Sequence, residues 1–409
     1  MSEEEAFRTV QSTLKEEKIT PFHPEELAVV RSAEKCINCG LCINYCPVVS
    51  SVGVDRFSGP RSIAIELSRS TPEFWSASDI VYLCTGCGTC REVCPYDVDV
   101  PEITNLVRHR IFDHRPDLVP KALHVVHEII TEHNLAFEPW EDLEDKAASR
   151  DMRLDRYGLP LIEDRIVDTA DVLYFPGCQA EERAQEVREA AKVIFDHFNV
   201  NYTLLDEMSC CGLPAKLIGD NKLYSELGSR LTEKVRKLGV KQIVTTCAGC
   251  TSNLLEVSEL HHWNLPVYHL VEFLANEIGF EKLKKNLKPL RENVQTKVTM
   301  HDPCHLIRHT SREIHDIVLK ILDIMPDVTY LPSGVTDSCC GGGGMVSYHS
   351  KDVSNAVVKE NLEGITSTDA ERLVTPCPLC TAQLENSLYR TGSSIEVDDL
   401  AVFIAQRLK

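Results

Sequence analysis

The chain has 409 residues, and its chemistry is concentrated in eighteen cysteines. Ten of them fall into two matching sets. Cys178, the pair Cys210–Cys211 and the C-x-x-C of Cys247 and Cys250 recur as Cys304, Cys339–Cys340 and the C-x-x-C of Cys377 and Cys380. The offsets between matching residues are 126, 129, 129, 130 and 130. A glycine, Gly212 or Gly341, follows each pair. Repetition in the same order at nearly constant spacing marks an internal duplication, each copy carrying a five-thiol site. The other eight cysteines form two runs, Cys36-x2-Cys39-x2-Cys42-x3-Cys46-Pro47 and Cys84-x2-Cys87-x2-Cys90-x3-Cys94-Pro95. No cysteine is left over as an apolar core filler, the plain alternative.

Reduced cysteines at such spacings are metal ligands. The acidic start, Met1-Ser2-Glu3-Glu4-Glu5, has no apolar stretch behind it, so no signal peptide is expected. No run approaches the length of a membrane span. A cytoplasmic location follows as an expectation, with thiols rather than disulfides and any membrane attachment made through a partner protein.

Each four-cysteine run has the spacing of the bacterial two-cluster ferredoxins, in which the cysteine before proline reaches across to the other cluster. On that rule Cys36, Cys39, Cys42 and Cys94 hold one cubane [4Fe–4S] cluster, and Cys84, Cys87, Cys90 and Cys46 hold a second. Gly40, Gly86 and Gly88 let backbone N–H groups approach the sulfurs. A pair of zinc sites is the alternative, but four-thiol zinc sites do not call for the third and fourth cysteine of each run. A helix is predicted over Ser62–Arg69 between the runs, after a polar lead-in with a helix near Glu26–Ser32.

The elements that must position the remaining ten thiols alternate. Strands are predicted at Val172–Phe175, Tyr202–Leu205 and Gln242–Thr246, and again at Lys297–Met300, Val328–Leu331 and Leu373–Thr375. Helices are predicted at Glu181–Phe198, Leu223–Leu238, Glu313–Met325, Asp352–Leu362 and Asp399–Leu408. This alternation gives a parallel sheet in each copy, and ligands bind beyond the carboxyl ends of such strands. Every cysteine group follows a predicted strand, so five thiols converge on one edge of each sheet. The expected architecture is a mixed α+β and α/β multidomain chain. A helical two-cluster ferredoxin-like domain (1–110) and a helical linker (111–170) precede two duplicated α/β domains (171–285 and 286–409). Helices are also predicted at Ile103–Phe112 and Ala122–Glu132, before a charged stretch, Glu141–Asp155, read as a linker or docking surface. His124 and His127 at i, i+3 make a possible metal face, with partly exposed helix histidines the plainer reading.

Five thiolates exceed what one cubane or one zinc needs. Gly341–Gly344 lacks the Lys-Ser/Thr of a phosphate loop and reads as a tight loop around a cluster. The pattern C-xn-C-C-G-xn-C-x-x-C, present twice, resembles the cysteine-rich CCG domain of heterodisulfide reductases. That domain also occurs in iron–sulfur subunits of glycerol-3-phosphate dehydrogenase, glycolate oxidase and lactate-utilisation complexes. A dicluster domain fused to two CCG repeats resembles the D-type subunit of heterodisulfide reductase over nearly the whole chain; in the soluble form of that reductase the parts are split between C-type and B-type subunits. The resemblance implies two noncubane [4Fe–4S] clusters. One is held by Cys178, Cys210, Cys211, Cys247 and Cys250, the other by Cys304, Cys339, Cys340, Cys377 and Cys380. It further implies a role in methanogenesis, with the coenzyme M–coenzyme B disulfide cleaved between the two clusters.

Disulfide reduction takes two electrons, which suits two facing clusters fed by the ferredoxin-type pair. Two protons are also needed. His301 and His305 flank Cys304 and are the residues proposed to donate them, with loop capping by His301 and Asp302 as the competing reading. The chain has no Gly-x-Gly-x-x-Gly fingerprint, so an outside electron donor is implied, a flavoprotein or a cytochrome b. A net charge of −19 argues against nucleic acid as a partner. Expected function is therefore an iron–sulfur oxidoreductase subunit that reduces or forms a small-molecule disulfide. The alternatives are an electron-transfer subunit of an organic-acid or glycerol-3-phosphate dehydrogenase or fumarate reductase complex, and a zinc-binding structural protein.

Overall fold

The structure is a computed structural model and describes Ser12, residues 22–68 and residues 77–409. The acidic start and the last residue of the helix expected over Ser62–Arg69 lie outside the described residues.

The two cysteine runs sit on short helical turns. Leu41–Asn44 and Thr89–Glu92 each begin at a glycine with positive φ, Gly40 and Gly88. Pro47, with its fixed φ and no N–H to lose, opens helix Pro47–Val52 directly behind Cys46. Around them pack helices Leu27–Glu34, Pro60–Ser68 and Val100–His114. Asp99 caps the last of these by accepting from the Glu102 amide. Helix Lys121–His133 follows. The charged stretch at 141–155 forms helix Leu143–Tyr157, capped by Asp142 and stopped by left-handed Gly158. It lies on the first duplicated domain, where Lys146 pairs with Glu182 at 2.9 Å and Arg153 with Glu186 at 3.2 Å.

Each duplicated copy is a four-stranded, all-parallel sheet. In the first, β1 (Val172–Phe175), β2 (Tyr202–Thr203), β3 (Gln242–Thr245) and β4 (Val267–His269) stand in the order β2-β1-β3-β4. In the second, β5 (Thr296–Met300), β6 (Val328–Tyr330), β7 (Arg372–Thr375) and β8 (Glu396–Asp399) stand in the order β6-β5-β7-β8. Identical order and direction are the structural face of the duplication. β1 and β3 are buried almost throughout, as strands covered on both faces must be.

Three expectations need correction. The helix predicted over Glu181–Phe198 is two helices, Gly177–Glu182 and Gln185–His197. At the break the Arg183 and Ala184 amides both turn back to the Gln179 carbonyl. The fourth strand of each sheet, β4 and β8, is an addition to the predicted set. Last, the closing helix is Leu400–Ala405, because Asp399 ends β8 and accepts from the Ala401 amide.

Candidate iron–sulfur sites

Strand ends deliver the duplicated cysteines. Cys178 lies three residues beyond β1 and Cys247 two beyond β3; Cys304 lies four beyond β5 and Cys377 two beyond β7. Helices Ala248–Leu260 and Pro378–Thr391 start at the residues after Cys247 and Cys377 and carry Cys250 and Cys380 in their first turns. In the first copy Cys210 neighbours Cys178 and Cys211, and Cys211 neighbours Cys250. In the second copy Cys304 neighbours Cys339, and Cys340 Sγ lies 3.4 Å from Cys380 Sγ. All ten are buried except Cys247, which is partly so.

The two sets meet. Cys247 of the first is in contact with Cys377 of the second, and that contact is the largest influence raising the Cys377 thiol. Nine of the ten cysteines, all but Cys339, line one cavity of about 130 Å³. Its other walls are largely apolar, with Phe137, Leu213, Leu217, Met345 and Leu379 among them. Gly177 is required there: its φ is +80°, and a Cβ would stand 2.7 Å from Cys250 Sγ.

The two four-cysteine runs also separate into two groups, by crossing over. Cys42 is raised by burial and then by Cys36, with Cys94 and Cys39 also near. Cys46 is raised by burial and then by Cys87, with Cys84 near. Cys90 is raised well above the ordinary range by burial, with Cys84, Cys87 and Cys46 around it and Cys42 of the other group a weaker neighbour. Cys39 is exposed, beside exposed Ile37, Leu41 and Tyr96.

The second group abuts the duplicated half. Burial first and Cys339 second push Cys87 up to about 11, and Thr85 bonds the Cys339 sulfur. The glycine run makes this possible. A Cβ on Gly343 would stand 2.5 Å from the Thr85 carbonyl oxygen, and one on Gly344 would overlap the Cys84 carbonyl oxygen. So Gly341–Gly344 is a seam between the ferredoxin-like loop and the second copy as well as part of the cysteine loop. Buried Arg108 pins the same seam, donating to the carbonyls of Val81 (2.9 Å), Cys84 (2.8 Å) and Leu217 (3.2 Å). His309 Nε2 meets the Gly86 carbonyl at 2.9 Å, and Arg308 and Arg312 reach Glu92 at 2.7 and 2.6 Å.

The donor set suits iron–sulfur clusters. It is mainly sulfur, gathered in fours and fives and mostly buried, where separate thiolates would repel and lose hydration, with a His301 ring nitrogen within 4.8 Å of the Cys340 and Cys380 sulfurs. Backbone N–H groups point at the sulfurs, as from Gly86 to Cys84 (3.4 Å), Gly212 to Cys210 (3.4 Å) and Gly341 to Cys339 (3.3 Å).

The histidines fall into different places. His305 lines the cysteine cavity and also a neighbouring polar cleft of about 380 Å³ that holds Lys216, Glu256 and His309. Its Nδ1 is 3.0 Å from Ser252 Oγ, and its ring stacks on His309 at 4.7 Å. Burial, with His309 next to it, pushes His305 down to about 3, so its ring is neutral. His301 is fully buried. Both His301 and Asp302 hydrogen-bond, His301 Nδ1 with Asn361 at 3.1 Å and Asp302 accepting from His315 Nδ1 at 2.6 Å, while the helix at Cys304–Ile307 itself has no side-chain cap. His124 and His127 have separate partners, the Pro116 carbonyl at 3.1 Å and Asp220 at 2.8 Å, and so make no shared metal face. Ser252 and Thr85, the polar neighbours of this site, carry no sequence signal of their own. Among the described residues no helix is long and apolar enough to cross a membrane.

Comparison with known proteins agrees with this layout. The cysteine-rich domain (CCG) model matches residues 172–255 and 298–385, and the 4Fe-4S dicluster domain model matches residues 32–98. An uncharacterized iron–sulfur protein of Methanococcus maripaludis is 28% identical over 90% of this chain and 70% of its own. The D-type subunit of the dihydromethanophenazine:CoB–CoM heterodisulfide reductase of Methanosarcina barkeri is 26% identical, over 92% of this chain and 94% of its own. The B-type subunit of the fumarate reductase (CoM/CoB) of Methanothermobacter marburgensis is 26% identical over 91% of this chain and 72% of its own. Among solved structures, a glutamate racemase of Francisella tularensis aligns with a TM-score of only 0.25 at 16% identity, over 59% of this chain and 80% of its own. The order of cysteine groups, the paired sheets, the two domain models and the heterodisulfide reductase relatives together make the chain a CCG-domain iron–sulfur protein with an N-terminal 4Fe-4S dicluster domain, related over most of its length to the D-type subunit of archaeal heterodisulfide reductases.

Proposed function

We propose that the chain is the part of an iron–sulfur oxidoreductase in which a small disulfide is reduced to two thiols, or formed from them, between two facing five-cysteine sites. The observation that carries this is the shared cavity, closed by Cys247 against Cys377 and lined by nine duplicated cysteines. The half-reaction is RS–SR′ + 2e⁻ + 2H⁺ → RSH + R′SH. In this reading Cys36, Cys39, Cys42 and Cys94 hold one cubane [4Fe–4S] cluster and Cys46, Cys84, Cys87 and Cys90 the other. The two CCG sets, Cys178 to Cys250 and Cys304 to Cys380, each hold a noncubane [4Fe–4S] cluster. Such clusters, when bound, supply electrons one at a time.

The protein's own part is position and proton supply. Exposed Cys39, with Ile37, Leu41 and Tyr96 around it, gives an outside donor access to the first group. The donor is a reduced flavoprotein or a cytochrome b. Thr85 and the glycine seam hold the second group against Cys304 and Cys339. Phe137, Leu213, Leu217 and Leu379 keep water from the cavity, which favours the transfer of electrons to the substrate over side reactions. Among the described residues His305 is the one imidazole lining both the cavity and the polar cleft, and it relays protons from the cleft to the leaving thiolates. The disulfide of coenzymes M and B, for which the Methanosarcina relative is named, is the first substrate to test.

The test begins with iron. The protein purified without oxygen should carry about 16 iron atoms, and mainly zinc would refute the redox reading. Coenzyme M–coenzyme B disulfide added to the oxidised protein should alter its electron paramagnetic resonance, and the dithionite-reduced protein should release two thiols per disulfide. Full clusters with neither response would leave the chain a carrier of electrons for a dehydrogenase or fumarate reductase partner.

A further inference from the structure

The two five-cysteine sites are not equivalent. By the offset that maps Cys178 onto Cys304, Phe175 at the end of β1 maps onto His301 just beyond β5. Phe175 is a buried hydrocarbon ring with no hydrogen to donate. His301 is equally buried, yet polar, and a ring nitrogen lies within 4.8 Å of both Cys340 Sγ and Cys380 Sγ.

The surrounding hydrogen bonds fix which nitrogen carries the proton. Buried Asn361 donates from Nδ2 to the Ser338 carbonyl at 3.1 Å, and the same Nδ2 lies 3.1 Å from His301 Nδ1. A carbonyl can only accept, so the amide NH₂ must face both groups. Its second hydrogen then points at Nδ1, which accepts, and the imidazole proton sits on Nε2. That Nε2 is buried and has no hydrogen-bond partner, oxygen, nitrogen or sulfur, among the described residues. The Cys340 and Cys380 sulfurs stand nearby, within 4.8 Å of a ring nitrogen, so a sulfur at the loaded site is what Nε2–H would donate to.

We propose that His301 is a positioning residue that donates an Nε2–H···S hydrogen bond to the second CCG site, setting that site at a higher reduction potential than the first. Hydrogen bonds to cluster sulfurs stabilise the more negative, reduced state and raise the potential. The second site is also the one that Thr85 hydrogen-bonds, at Cys339, and that Cys87 neighbours. The electron arriving from the ferredoxin-like domain therefore meets the better acceptor first. The inference rests on the reading above that both CCG sets bind clusters.

The test is a redox titration followed by electron paramagnetic resonance, on the full chain purified without oxygen and loaded with iron. His301→Leu should move the midpoint of one CCG signal to lower potential and leave the ferredoxin-type signals in place. His301→Gln, which keeps an N–H near the same position, should stay close to wild type. Intact iron with no shift in the Leu variant, or an equal shift in the Gln variant, overturns the proposal. Should the Leu variant lose CCG iron, wild-type protein labelled with ¹⁵N-histidine decides. Pulsed spectroscopy should then find a nitrogen coupling at one CCG site, and its absence from both overturns the proposal. Wild-type protein with no iron in the CCG sets would instead remove the reading on which the inference stands.

Discussion

Single residues far from the sulfurs hold the second copy in shape. Arg407 and Asp327 are both buried, joined at 3.0 and 3.1 Å, and Asp327 also accepts from the Leu290 amide at 3.0 Å. Replacing Asp327 with Asn strands a buried guanidinium and should cost about 3–5 kcal/mol in urea unfolding without oxygen. A Leu in place of each partner should cost much less. His309 gives a pH dependence with a definite sign. Burial first and Arg91 second depress it to about 4, below its ordinary 6.5. At intermediate pH the unfolded chain binds a proton that the folded chain refuses. The stability is therefore present above about 6.5 and lost as pH falls toward 4. Thermal unfolding at pH 7 and pH 5 should differ less in His309→Asn than in wild type, by on the order of 1 kcal/mol.

At the scale of elements, the glycine seam invites a paired comparison. Gly344 and Gly239 both have left-handed φ, +61° and +58°. A Cβ on Gly344 would overlap the Cys84 carbonyl, whereas one on Gly239 meets nothing within 4 Å. Gly239→Ala should cost about 1 kcal/mol, the backbone term alone. Gly344→Ala should cost clearly more and slow the reduction of CCG signals in rapid-freeze experiments. A similar small cost for both would refute the seam. What the sequence revealed follows the same division between local and distant. β1, β3, β5 and β7 are short apolar runs ahead of cysteines, and both their existence and the convergence of five thiols on each sheet edge were legible. β4 and β8 were not. Val267–His269 is only three residues long. Glu396–Asp399 is mostly acidic, and its buried Asp398 is tolerated because Arg372 reaches it at 2.6 Å. The contact of Cys247 with Cys377 joins segments 130 residues apart, and Gly344 meets a loop 260 residues earlier; neither leaves a local pattern. The His301 proton was illegible for the same reason, since Asn361 fixes it from 60 residues away.

Across the whole molecule, the four cysteine groups stand in one sequence from surface to centre: exposed Cys39, then Cys87, then Cys339, then the cavity shared with the first CCG copy. Serine in place of Cys247 should therefore leave the ferredoxin-type signals intact while abolishing disulfide turnover, a split readable by spectroscopy and thiol release on one sample. Covalent continuity across the glycine seam has a consequence of its own, in mass action. Two separate polypeptides would have to find that seam by collision, with occupancy falling on dilution. A single chain presents its own ferredoxin-like loop to its own second copy at an effective concentration on the order of millimolar. With a chemical reductant, turnover per chain should then stay constant from micromolar to nanomolar protein, making electron supply a property of each molecule and not of its abundance.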